Sequence, residues 1–355
     1  MSMKLSLKIL IRLGFILALP VFSGCDSNEN VIETPTATDQ RTELSVAGST
    51  FASPFFNRVL EAWGQKNPNL KPVYRSIGSG AGIEEFIAGT TDIGTTDAPL
   101  NAAESARLKE DISEIIVTSG MISIAYHLDD IDDTIKLPRE VYPDIFLGKI
   151  TRWDDPRIAA ANPGLKLPPK FIQVVARADS SGTTYAFTHH LSSISQSWKV
   201  GLGAAKTIDW PGSTMTAPGN EGVAQRLAIT KYSIGYVEYG FAHRMGLKTA
   251  KLENQAGKYV LPSLDAGEEG LSGSALSSSS DLSESISDPE GDSSYPIVAY
   301  TWALLHQRYN DPDKDLAVRN LIKWSLTEGQ TLAKPLMYLP LSQQIVQAGL
   351  NKLGG

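Results

Sequence analysis

The chain has 355 residues, enough for two domains of ordinary size, and 42% hydrophobic residues exclude a disordered protein. A net charge of −7 argues against a protein that holds nucleic acid by its overall field. Cys25 is the only cysteine, which excludes internal disulfides and cysteine-clustered metal sites.

Residues 1–24 carry Lys4, Lys8 and Arg12 without an acid, then an apolar run from Leu13 to Phe22. That is the pattern of a signal peptide, too short and wrongly flanked for a spanning helix. Phe22-Ser23-Gly24-Cys25 resembles a bacterial lipobox, with Phe22 where that motif usually has Leu. The resemblance implies cleavage before Cys25, lipidation of Cys25 and attachment to the outer face of the cytoplasmic membrane, on the periplasmic side or cell surface. Loss of three positive charges would take the net charge to −10. Any anion must therefore be held by local hydrogen bonds and one or two basic groups. Residues 25–42 are polar, have no apolar period and read as a flexible tether.

Beyond the tether, Leu44 and Val46 alternate as a short strand, and AGSTFASP turns into a helix burying Phe55, Phe56, Val59, Leu60 and Trp63. A second strand through Val73 and Tyr74 leads into IGSGAG and a helix with Ile83, Phe86 and Ile87 inward. Ile93 to Thr95 form a third strand that delivers Asp97 at its end. A helix is expected over 101–109, then a long buried strand over 115–126. Helices follow at 141–146, 219–230, 313–326 and 341–350, with a strand at 233–237. Strands and helices alternate throughout, so the class is α/β. Between Lys258 and Arg308 there is no Lys or Arg, and the acidic Ser- and Gly-rich stretch of about 264–294 reads as a mobile insertion.

The most informative stretch is FIQVVARADSSGTT, residues 171–184, which is a strand, a turn and a helix start. The first N–H groups of a helix lack internal partners and carry the positive end of its dipole, so a Ser-Gly-Thr opening can wrap an oxyanion. Arg177 adds a planar cationic fork. Asp179, two residues on, lies on the same side of an extended chain and can hold that fork in place.

Taken in order, AGSTFASP, IGSGAG, DIGTTDAPL, LGKITRWDDP, NPGLKLP, RADSSGTT and GNEGVAQRL followed by IGYVEY resemble the substrate-binding component of the high-affinity bacterial phosphate ABC transporter. The likeness covers about 43–250 and again 295 to the end. It implies a type II periplasmic binding protein fold, two α/β lobes joined by two crossing hinge strands and closing on the ligand. Lobe I would be 43–119 plus 297–355, and lobe II 120–296. By the same resemblance Thr50, the Phe51 backbone, Ser79, Arg177, Ser181, Gly182 and Thr183 would donate to phosphate. Asp97 would be the acceptor carboxylate, and Asp179 the partner of Arg177. The implied partners are inorganic phosphate, a permease pair with its ATPase, and the membrane through the lipid anchor; no cofactor or metal is implied.

Two rival readings keep some of these features. One is a binding protein for another oxyanion such as sulfate or molybdate. The other is a lipoprotein phosphatase or hydrolase using Ser181 as nucleophile. His189 and His190 lie on the same helix, roughly 12 Å of rise from Ser181. No G-x-S-x-G or H-E-x-x-H pattern occurs, so a non-enzymatic binding protein is expected.

Overall fold

The computed structural model describes residues 41–129, 131–273 and 285–354. The expected signal peptide, Cys25 and nearly all of the tether lie outside the described residues.

Strand β1 (Thr42–Gly48) pairs in parallel with β2 (Leu70–Ser76) on one side and β3 (Ile93–Thr96) on the other. Helix α1 (Ser53–Lys66) crosses from β1 to β2 with Pro54 in its first turn, where no N–H is needed. Its helically spaced Phe55, Phe56, Val59, Leu60 and Trp63 are all buried. Helix α2 (Ser79–Ala88) crosses from β2 to β3 and ends at Gly89 in the left-handed region. The helix expected over 101–109 is one turn, α3 (Ala102–Ser105), closed by a capping box between Asn101 and Glu104. That stretch lacks an apolar stripe to bury, so nothing extends the turn.

Strand β4 (Ile112–Tyr126) changes partner midway. From Ile112 to Met121 it runs antiparallel to β12 (Val298–His306), which also pairs with β3. From Ile122 to Tyr126 it pairs with β8 (Ser233–Glu238). Beyond β8 lie β6 (Gln173–Arg177) and then β7 (Met215–Ala217), both parallel, so the main order is β2-β1-β3-β12-β4-β8-β6-β7. A bulge interrupts the β4 and β12 pairing, because Thr301 opposes Thr118 while Trp302 opposes Ile116.

After β4, β5 (Lys136–Leu137) precedes α4 (Val141–Phe146) and α5 (Pro156–Ala161). Helices α6 (Gly182–Ile194) and α7 (Gln196–Gly201) follow β6, and α8 (Gly219–Ile229) follows β7. After β8 come α9 (Tyr239–Arg244), β9 (Lys248–Thr249) on the edge of β4, and β10 (Lys251–Glu253) with β11 (Tyr259–Val260) in a small sheet with β5. The core beside the site is aromatic, with Phe187 stacked on Tyr236 at 4.4 Å between centroids. Helices α11 (Pro312–Leu326) and α12 (Gln343–Leu353) complete the chain.

The description of about 264–294 as a mobile insertion needs correction at both flanks. Residues Leu264–Ser272 form a helix, α10, capped by the Ser263 side chain. Its small residues Ala266, Gly267 and Gly270 are buried. A Cβ on Gly267 would stand 2.7 Å from Leu339 and 2.8 Å from Met121. Downstream, Asp288 receives both arms of Arg139 at 2.5 and 2.6 Å, and the Asn254 amide donates to the carbonyls of Gly291, Asp292 and Ser294. Acid density hid these contacts, because composition does not tell which face of a helix is small enough to pack. Residues 274–284 lie outside the described residues.

Candidate functional site

The carboxyl ends of β1, β2, β3 and β6 deliver four loops to one place, as the crevice of an open α/β sheet requires. Asp97 is at its centre and is 2% exposed. Its Oδ1 accepts from the Ser49 hydroxyl at 2.6 Å and the Thr301 hydroxyl at 2.7 Å. The bulge in β4 lies at this point of β12, where Thr301 reaches the site. Oδ2 accepts from Ser79 at 3.3 Å and faces Gly182, where a Cβ would come within 2.7 Å of it. Only a glycine lets the α6 terminus come this close. Burial pushes the Asp97 carboxyl up to about 6, although the Ser49 and Thr301 hydrogen bonds, the Arg177 charge and Ser79 pull it down.

Arg177 ends β6 with its side chain 1% exposed. Its Nε donates to Asp179 Oδ1 at 2.8 Å, one terminal nitrogen donates to Asp179 Oδ2, and the other reaches Thr183 Oγ1 at 3.2 Å. Burial pushes the Asp179 carboxyl up, but the Arg177 hydrogen bond and charge outweigh it, helped by the Gly219 N–H, and hold it below the usual range. The Tyr236 hydroxyl receives the Arg177 N–H at 3.2 Å and shares a hydrogen bond with Thr184 at 2.6 Å. Ser181 caps α6 by accepting from the Thr184 N–H at 3.0 Å.

The loops from the two halves of the sheet touch. Gly80 N–H donates to the Ser180 carbonyl at 2.9 Å. Gly78 has φ 92, and a Cβ there would stand 2.5 Å from Asp179 Oδ2. Glu104 pairs with Lys206 at 2.5 Å, both nearly buried, and the Lys206 carbonyl accepts from the Ser181 N–H at 2.8 Å. A solvent-facing cleft lined by Thr50, Ser53, Ser76, Asp179, Gly219 and Phe241 adjoins the site.

Thr50, Ser79, Asp97, Arg177, Gly182 and Thr183 are thus linked by direct contacts or one shared partner, with Ser181 at the cap of the same helix. Phe51 is fixed differently, its carbonyl accepting from the Tyr338 hydroxyl and its ring edge-on to Tyr338. As for the histidines, His190 Nε2 is bonded to the Tyr142 hydroxyl at 2.7 Å, inside the second half. Burial pushes His190 down to about 4. Among the described residues no group of three or more His, Cys, Asp or Glu is placed to hold a metal ion. The arrangement is a buried cluster of donors around one cation and one buried acceptor, fit for binding a small anion that carries a proton.

Residues 33–328 match the model of the PBP superfamily domain. The phosphate-binding protein PstS of Pasteurella multocida is 36% identical over 310 residues, covering 87% of this chain and 89% of that protein. The protein of the same name from Methanocaldococcus jannaschii is 35% identical, covering 96% and 93%. The chain belongs to the PstS family of phosphate-binding proteins. Among solved structures, a high-affinity periplasmic phosphate-binding protein with phosphate bound superposes with a TM-score of 0.68 at 18% identity, over 86% of this chain and 92% of that one. A phosphate-binding protein from Stenotrophomonas maltophilia gives 0.66 at 18%, over 88% and 93%. The fold is the type II periplasmic binding protein fold.

Sequence reasoning missed four groups in this PstS-family chain. Ser49 and Thr301 hold Asp97. Asn220 joins Thr50 to Thr183. Glu238 caps α9 through the Gly240 and Phe241 N–H groups, and burial pushes its carboxyl up to about 8. The GNEG opening of α8 was the one available signal for Asn220.

Proposed function

We propose that this chain binds inorganic phosphate between two lobes and delivers it to an ABC importer for high-affinity uptake. Thr50, the Phe51 backbone, Ser79, Arg177, Ser181, Gly182 and Thr183 donate to the anion, Asp97 accepts its proton, and Asp179 holds Arg177. Lobe I is 43–119 plus 297–355 and lobe II is 120–296; β4 crosses from the first to the second, and the chain returns just before β12. The observation that carries the reading is Asp97: a buried carboxylate amid donors suits an oxyanion that keeps an O–H and opposes one that does not. The names of the relatives support the choice of phosphate. Calorimetric titration with phosphate, sulfate and molybdate tests it. Saturable binding of phosphate alone is the expected result, and equal binding of sulfate would reject it.

The importer partner is a permease pair with its ATPase, and the chain works in the cell envelope. Cys25, directly after the apolar run, carries the lipid that keeps it on the outer face of the cytoplasmic membrane. Cys25→Ser is expected to abolish labelling by a radioactive fatty acid and to release the chain from the membrane fraction. Unchanged labelling would refute the anchor.

A further inference from the structure

Asn220 is fully buried at the start of α8 and uses both polar atoms of its side chain. Its Oδ1 accepts from the Glu238 backbone N–H at 2.9 Å. A backbone N–H can only donate, so this contact fixes the amide orientation and turns Nδ2 toward the site. One Nδ2 hydrogen then goes to Thr50 Oγ1 at 3.1 Å and the other to Thr183 Oγ1 at 2.9 Å.

A threonine hydroxyl has two acceptor positions and one proton. Thr50 Oγ1 receives a second donor from the Asn220 backbone N–H at 3.2 Å, and Thr183 Oγ1 receives one from Arg177 at 3.2 Å. Both acceptor positions of each hydroxyl are therefore filled by groups that cannot accept in return. Each hydroxyl is left with its proton as the only means of making a further bond.

We propose that Asn220 sets the hydrogen polarity of the anion site: by saturating Thr50 and Thr183 as acceptors, it makes both hydroxyls obligate donors to the bound anion. The inference rests on the phosphate reading above and adds to it a positioning residue that acts through two others. It also ties the halves of the site together, since Thr50 follows β1 while Thr183 and Asn220 open α6 and α8. A hydroxyl free to rotate would spend part of its time with a lone pair toward the anion, and binding would have to select against that orientation.

The test is a set of titrations of the full chain with inorganic phosphate. Asn220→Ala is expected to weaken binding about 10- to 100-fold, the range for hydrogen bonds to a charged group. In a chain already carrying Thr50→Val and Thr183→Val, the same change is expected to cost less than about threefold, because the hydroxyls it acts through are gone. In a chain carrying Thr50→Ser and Thr183→Ser, which keep the hydroxyls, it is expected to cost as much as in the wild type. Should Asn220→Ala fail to fold, Asn220→Asp takes its place, keeping the volume and the acceptor for Glu238 N–H while reversing the polarity toward the threonines. Its expected loss is about 1,000-fold. Losses that simply add in the Val background, or wild-type affinity in Asn220→Asp, would overturn the inference alone. A wild-type chain that does not bind phosphate would overturn the phosphate reading and the inference with it.

Discussion

Asp97→Asn is expected to narrow the preference for phosphate over sulfate by several orders of magnitude, mainly by raising sulfate affinity. The two oxygens of Asp97 have different work. Oδ1 is taken by the hydroxyls of Ser49 and Thr301, whereas Oδ2 faces Gly182 and the opening of α6. An asparagine would keep its carbonyl oxygen on the side of the two hydroxyl donors and place its NH₂ where Oδ2 stood. The group facing the anion would change from an acceptor into a donor. Phosphate keeps at least one O–H at neutral pH and sulfate has none, so the native acceptor meets a proton in one case and a bare negative oxygen in the other. Sites built to pair with a ligand's hydroxyl reject analogues without it by about 10⁴- to 10⁵-fold. Paired titrations at pH 7 check this. If sulfate remains undetectable while phosphate still binds and the fold is intact, Asp97 is not the discriminator.

The same variant carries a stability signature. The Asp97 carboxyl rises from 3.8 to about 6 on folding, so the folded chain binds more protons than the unfolded chain between those values. Stability from this group therefore falls as pH rises through that window, by about 3 kcal/mol in total. In phosphate-free buffer Asp97→Asn is expected to unfold at a higher temperature than the wild type at pH 7.5, and the advantage should vanish near pH 4. An advantage of the same size at both pH values would assign it to some other cause.

Arg177→Ala is expected to weaken phosphate binding by about 2 to 5 kcal/mol. The change removes the cation of the site and leaves Asp179, still receiving the Gly219 N–H, as an unpaired carboxylate beside the anion. The loss thus combines a missing attraction with a new repulsion. Arg177→Lys should restore only part of it, since an ammonium cannot reach Asp179 through two parallel bonds and Thr183 through a third. Adding Asp179→Ala to Arg177→Ala should recover the repulsive part. Calorimetry on the four chains separates the two contributions, and wild-type affinity in Arg177→Ala would remove Arg177 from the site.

What could be read from the sequence was local. Apolar spacing gave α1 and α2, because a helix that must bury Phe55, Phe56, Val59 and Trp63 has few alternatives. The Arg177 and Asp179 pair was legible because two residues on an extended chain share a side. What escaped depends on where distant elements land. Thr301 is 204 residues from Asp97, and nothing in YPIVAYTWALL marks one of its residues as facing the site. Asn220 was in view within GNEGVAQRL, yet its contacts exist only because β7 pairs with β6 with Ala217 opposite Arg177, which sets α8 beside α6. The acidic stretch was misread for the opposite reason: its charges were conspicuous, and its packing rests on glycine and alanine.

The strand that brings Thr301 lies in the middle of the sheet, between β3 and β4, although it is the last in sequence among the described strands. Until residue 306 has been made, β3 and β4 each present an open edge where their common neighbour belongs. A chain shortened before β12 loses its central seam. Pairings of such long sequence separation make folding slow, and they place completion of the Asp97 environment late in it. The anion site is thereby tied to a strand made long after Asp97, so that capture of the ligand reports a molecule in which β12 has found its place.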